Sequence, residues 1–424
     1  MNDIIPAVLY LAKRKIYGKN KKGNYWHRAR SIIDGKKFYV AIKSKEARNR
    51  YILLKRLEDN NEINKAYMHE DLGLDTDMNA CILVYKHKYA LFNRNKFVLS
   101  EHWHAELMRR IPSHQINTKN IISIDPPGCT DIDDAFSWKL KNDNIYVSVY
   151  IADVLYYLAN ADSELIKNIS KKITSVYSQC INDVDHMLPK QLVSVCSLYA
   201  NQSKRAVQFK FILNNSTLRL LSVSRKIINV RANLCYTDSN DYIYKLMQLL
   251  EVVNSHALVE KLMISVNSQI WNYCPRISIV KECTTFSRYA LLYNETKIFH
   301  EKLQTWNYVS ITSPIRRWPD IIAMSQLFNE DFQCNIDDIN AKLVACKRFY
   351  SDLDVIHLIK IISETEEHAL RNIHVILDGC KLVLPYYNIK IFNNYGIAMT
   401  TRFDIYLLAK SNIYERLKFI EHNN

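Results

Sequence analysis

Glycine is scarce in this chain: seven residues in 424, with none between Gly128 and Gly379. Glycine-rich phosphate loops and dinucleotide fingerprints therefore have no place over most of its length, which argues against NTP- and NAD-dependent chemistry. Long apolar runs are missing too. Nothing approaches the ~20 residues of a membrane span, and the N-terminus MNDIIPAVLYLAKRK lacks a signal-peptide layout. The ten cysteines are scattered without a CxxC pair, which disfavours both a disulfide framework and a zinc ribbon. The expectation is an intracellular protein, cytoplasmic or nuclear, with no membrane partner and no secretion signal. Hydrophobic residues make up 48% of the chain, enough for a large core plus accessory modules.

Net charge is +14, and it is concentrated. Between Lys13 and Arg56 sixteen Lys and Arg face two acids, Asp34 and Glu46, so the remainder sums to about zero. Tyr17, Tyr25, Trp26, Phe38, Tyr39 and Tyr51 are threaded through that stretch. Cations for phosphates and ring faces for bases are what a single-stranded nucleic-acid surface requires. A solvated basic face is the plainer alternative, but KKFYVAIK and RYILLKRL alternate like strands.

The pattern along the chain predicts an α+β protein in three parts. Residues 1–112 read as short strands in an OB- or cold-shock-like basic RNA-binding region. Residues 113–371 read as strand-like runs followed by helices, and residues 372–424 as a small β-module. Within the middle part IISID and NIYVSVYIADV are strand-like. Helical periodicity runs through SELIKNISKKI, DYIYKLMQLLEVVNSHALVEKLMISVNSQIW and a long segment from Ile339 to about Arg371.

The strongest signal is SIDPPGCTDIDDA, from Ser123 to Ala135. Asp125, Asp131, Asp133 and Asp134 fall within ten residues, after an apolar strand and around a Pro-Pro-Gly turn. Carboxylates so close repel one another, and a fold keeps them ionised by placing cations among them. Mg²⁺ suits hard oxygen ligands and keeps water and phosphate in its shell. Two such ions ~4 Å apart could activate a water and stabilise a leaving oxygen. A helix-capping acidic turn is the bland alternative. An EF-hand loop fails on spacing.

SIDPPGCTDIDDA resembles the signature of the RNase II (RNB) family of 3′→5′ exoribonucleases, near the wording of its eukaryotic exosome-associated branch. Other landmarks follow in the family's order: VYIADV, the SVY, MLP and CSL segments, ANLCY, LVEKLMISVN and YVSITSPIRRWPD. They span roughly residues 109 to 330. The resemblance implies that residues 113–371 are an RNB catalytic domain, a mixed sheet surrounded by helices, flanked by reduced OB-like modules, and that the protein degrades single-stranded RNA to nucleoside 5′-monophosphates with Mg²⁺ or Mn²⁺. It puts Asp125, Asp131, Asp133 and Asp134 at metal positions, with Asp133 indispensable for the chemical step. Arg316 would stabilise the scissile phosphate, near a helix end capped by Thr312 or Ser313, with Arg317 beside it on RNA. Tyr177 would stack on terminal nucleotides, and Tyr236 and Glu260 would contact the ribose.

Arg205 in KRAVQF reads as structural more than RNA-contacting. His102 and His104 in EHWHAE read as solvated or core histidines without partner ligands. The sequence departs from the family where Tyr150 and Met324 stand for histidines, and the segment between Tyr236 and Glu260 is short. Those departures favour the rival reading, a catalytically silent RNA-binding or adaptor protein; a DNA-directed or mixed nuclease is a third. The expected state is a monomer, with a helicase or exosome-like partner left open.

Overall fold

The computed structural model describes residues 4–43, 47–57, 64–91, 100–112, 120–159, 161–178, 183–273, 277–283, 287–293, 297–330, 332, 335–387, 389–408, 413 and 416–421. The chain divides into two compact units, one of residues 1–94, 177–184 and 344–424, the other of residues 95–176 and 185–343.

In the first unit, strands β1 (Ile4–Leu9), β2 (Tyr25–Ser31), β3 (Lys37–Ile42), β4 (Arg50–Arg56) and β5 (Lys65–Leu74) close a barrel in the order β1-β2-β3-β5-β4. Alternation decides what goes inside: Ala7, Leu9, Ala29, Phe38, Val40, Ile52, Leu54 and Ala66 form its core. Cations lie over outward rings, Lys65 over Trp26, Lys19 over Tyr25 and Lys15 over Tyr17, at 5.0, 4.8 and 5.5 Å. Gly73 has φ +128°, and a Cβ there would stand 3.0 Å from that of Ala80, so no other residue fits the bend into the Met78–Lys88 helix.

The same unit ends in a five-stranded sheet. Its order is Ile389–Phe392, Lys381–Leu384, Ala369–Asp378, Thr401–Leu407, Leu417–Glu421. The long helix expected to reach about Arg371 runs instead from Ile336 to Ser363. The Thr365 hydroxyl bonds both the N–H and the C=O of Ala369, and His368 takes φ 49°, so the chain turns and the strand starts at Ala369.

The second unit is built on a six-stranded sheet. It contains β6 (Ile122–Asp125), β7 (Asp134–Lys141) and β8 (Asn144–Ala152), in the order Thr217–Asn229, Ser203–Asn214, β8, β7, β6, Ala232–Cys235. All its pairings are antiparallel except the last. In place of glycine, Asn142 and Asp143 carry positive φ in the two-residue turn between β7 and β8. Phe136, Val149, Ile151, Phe209 and Phe211 are wholly buried under helices that include Ser255–Gln269 and Trp318–Leu327. The expected helical stretch from Asp241 is two helices, Asp241–Leu249 and Ser255–Gln269. Glu251 at φ 54° and the Asn254 cap divide them. Among the described residues no helix is long and apolar enough to cross a membrane.

Candidate active site

The parallel pairing of β6 with Ala232–Cys235 sets Asp125 opposite Cys235, and the Pro-Pro-Gly turn then carries the chain to Asp131. Ser197 Oγ and Tyr199 Oη both donate to the Thr130 carbonyl, at 2.9 and 2.6 Å, and the Leu198 N–H donates to the Ile132 carbonyl at 3.0 Å. Asp131 and Asp133 are buried, at 6% and 3% exposure; Asp125 and Asp134 are half-buried.

The TSPIRR turn faces this loop. The Ile315 N–H donates to Asp133 Oδ1 at 2.8 Å, and Arg316 Nε donates to Asp133 Oδ2 at 3.2 Å. The turn is itself clamped. Asn267 Nδ2 donates to Tyr308 Oη and Thr312 Oγ1, and its Oδ1 accepts from the Ile311 N–H. Asp320, wholly buried, accepts from Ser310 Oγ, the Ser313 N–H and Arg317. Arg317, expected on RNA, is thus directed at Asp320.

The helix start expected at Thr312 or Ser313 lies further on: the helix begins at Trp318, with Pro319 in its first turn. Hydrogen bonds from the Ser175 N–H to the Arg316 carbonyl, and from the Trp318 N–H to the Ile173 carbonyl, hold Arg317 extended at φ −139°. Arg316 is therefore presented by a fixed turn rather than by a helix end.

Burial dominates the electrostatics. It pushes the Asp133 carboxyl up to about 7, with Arg316 pulling the other way. Burial lifts Asp125 to about 6, against a hydrogen bond from Ser123, with the charge of Asp131 adding to the rise. Asp134 rises well above the usual carboxylate range through burial and the charges of Asp125 and Asp133. Among the described residues no three His, Cys, Asp or Glu groups are gathered closely enough to hold a metal ion. Asp125 Oδ2 is nevertheless buried without a hydrogen-bond partner, and all four donors are hard oxygens. That donor set, and the orphaned oxygen, fit a hard divalent cation.

Tyr236 follows Cys235 directly. Burial raises its phenol, the charges of Asp134 and Asp125 add to the rise, and Arg316 opposes it, so the ring lies within their field. It stacks on His256, which sequence reasoning missed: the ring centroids are 3.5 Å apart and the planes 6° from parallel. A lone histidine at a helix start gave no signal. Glu260 is exposed one turn along the same helix. Tyr177 belongs to the first unit, where its N–H donates to Tyr350 Oη at 3.1 Å. Arg205 lies over the Tyr156 ring at 3.7 Å, a packing contact. His102 and His104 are exposed on the Glu101–Arg109 helix. Tyr150 is buried, its hydroxyl within reach of Ser137 and Gln208, and Met324 is a core residue.

The acidic loop behind a buried strand is thus faced by an arginine on a clamped turn, and residues 113–262 match the family model described as RNB domain. That stretch is similar to RNB domains in sequence, and the chain has an RNase R-like fold. Over 122 residues it is 35% identical to the Exosome complex exonuclease RRP44 of Mus musculus, a stretch covering 28% of this chain and 12% of that protein. The solved apo form of Mycoplasma genitalium RNase R superposes with a TM-score of 0.70 at 14% identity, covering 99% of this chain and 89% of that one. Yeast Ssd1, described as a pseudonuclease, superposes at 0.63 with 12% identity, covering 99% and 68%.

Proposed function

We propose that this chain is a 3′→5′ exoribonuclease that hydrolyses single-stranded RNA to nucleoside 5′-monophosphates, acting as a monomer with Mg²⁺ or Mn²⁺. The observation that carries this reading is the buried Asp133 carboxylate, held by the Ile315 N–H and Arg316 amid three further aspartates. Similarity over 122 residues to a relative named as an exonuclease, and the RNB-domain match over residues 113–262, support the same chemistry.

Asp125, Asp131, Asp133 and Asp134 would hold the cation. Such a cation, when bound, would supply water activation and charge neutralisation at a phosphodiester. The chain's own part is positional. Ile315 fixes one Asp133 oxygen, so the carboxylate cannot swing. The Arg316 side chain, 45% exposed, offers its guanidinium to charge that builds on the phosphate. Tyr236 presents a ring and hydroxyl beside these groups, where sugar and base of the terminal nucleotide would lie.

RNA labelled at either end and incubated with Mg²⁺ tests the proposal. The 3′ label should leave first as mononucleotide while the 5′ label shortens stepwise. Intact RNA, or cuts at internal positions alone, would refute it. The rival is a silent RNA-binding protein. It is favoured by the absence, among the described residues, of three groups gathered for a metal, and by the fold shared with a pseudonuclease.

A further inference from the structure

The stack of His256 on Tyr236 is built rather than incidental. Ser255 Oγ donates to the Tyr236 carbonyl at 2.8 Å, which ties the start of the Ser255–Gln269 helix to the residue whose ring it must meet. Asn254 caps that helix through the Ala257 N–H at 2.9 Å and fixes the turn that carries His256. Two rings lying 6° from parallel at 3.5 Å form a short pile, and its outer member is exposed. The inner member, Tyr236, is half-buried in the field of Asp134, Asp125 and Arg316.

An exposed planar ring, beside the proposed phosphodiester site and backed by a second ring, suits one ligand chemistry best. Nucleobases stack on such faces whatever their identity, because every base has a π-surface. Tyr236 alone would be a flat wall; the cross-tied pair makes a platform held in one orientation before RNA arrives.

We propose that His256 is a nucleobase-stacking subsite, with one base of the single strand extending the His256–Tyr236 pile. The placement near the carboxylates rests on the nuclease reading above, whereas the stacking itself does not. The subsite takes purines and pyrimidines alike and gives a purine the greater overlap.

The test uses the full chain carrying Asp133→Asn, so that RNA survives, and short RNAs bearing a fluorescent adenine analogue at successive positions from the 3′ end. At one position the fluorescence should be quenched on binding. Adding His256→Ala should abolish that quenching and weaken binding about tenfold, whereas His256→Phe, which keeps the ring, should preserve both. An abasic nucleotide at the same position should erase the difference between His256 and its alanine variant. Unchanged quenching in His256→Ala, or a phenylalanine variant as weak as the alanine one, would overturn the proposal. Because the read-out is binding, RNA left intact by the unsubstituted chain would remove the nuclease reading and leave the subsite standing.

Discussion

At the scale of single residues, Asp133 and Arg316 carry the chemical prediction. Asp133→Asn keeps the volume and the Ile315 contact but removes the charge, so turnover of labelled RNA should fall by ~10³-fold or more while binding holds. Arg316→Ala should cost ~10²–10³ in kcat, the order seen when one preorganised donor is lost. If neither the parent nor these variants turn over RNA, the silent reading gains. The aspartates also predict a pH response. Asp133 titrates at about 7 in the fold against about 3.9 in the unfolded chain, so between those values the folded protein binds the extra proton. Its contribution to stability is present below about pH 4 and lost as pH rises through 7. The melting temperature of the EDTA-treated protein should therefore fall from pH 5 to pH 8, and Mg²⁺ or Mn²⁺ should restore more of it at pH 8. A profile rising over that range would contradict the buried geometry.

Elements explain why Arg316 is where it is. The TSPIRR turn is suspended from Asn267 on one side and Asp320 on the other, and neither residue belongs to the turn. Asp320→Ala leaves the inward-facing Arg317 without its carboxylate and the Ser313 N–H without an acceptor. Breaking such a pair costs about 3 kcal/mol or more. Denaturant melts should show that loss, and activity should fall in any surviving fold because Arg316 moves with its turn. The acidic loop depends on conformation in the same way. Gly128 has φ +76° with open space where a Cβ would go, so Gly128→Ala should lose stability only through backbone strain, about 1 kcal/mol. A loss several times larger would mean the loop is packed more tightly than its geometry shows.

For the whole molecule the decisive quantity is charge. The excess of +14 between Lys13 and Arg56 falls largely on the N-terminal barrel, where Lys15 and Lys19, joined by Lys65 from the fifth strand, stand over Tyr17, Tyr25 and Trp26. Affinity for single-stranded RNA should fall steeply with salt. Each of Lys15→Ala, Lys19→Ala and Lys65→Ala should flatten the log–log salt slope by about 0.7 if that lysine meets a phosphate. Filter binding between low and physiological salt reads this directly, and an unaltered slope in the triple variant would take the barrel face out of RNA recognition.

What the sequence by itself determined is what local pattern and composition can encode. A basic, aromatic-laced run of alternating residues became a closed barrel, and an apolar strand before crowded aspartates became β6 and its loop. These are short-range facts: period-two burial, a Pro-Pro-Gly turn, charge too dense to be casual. Packing decided the rest. Arg317 reads like Arg316 in sequence, yet buried Asp320 takes the one and Asp133 the other. The helix start at Trp318 was displaced by hydrogen bonds to Ile173 and Ser175, which lie some 140 positions earlier in the chain. His256 found Tyr236 through a cross-tie between a strand end and a helix start. Asp133 and Arg316 meet across 183 positions, and even the nearer pairs, Arg317 with Asp320 and Tyr236 with His256, are chosen by which surfaces the folded chain brings together.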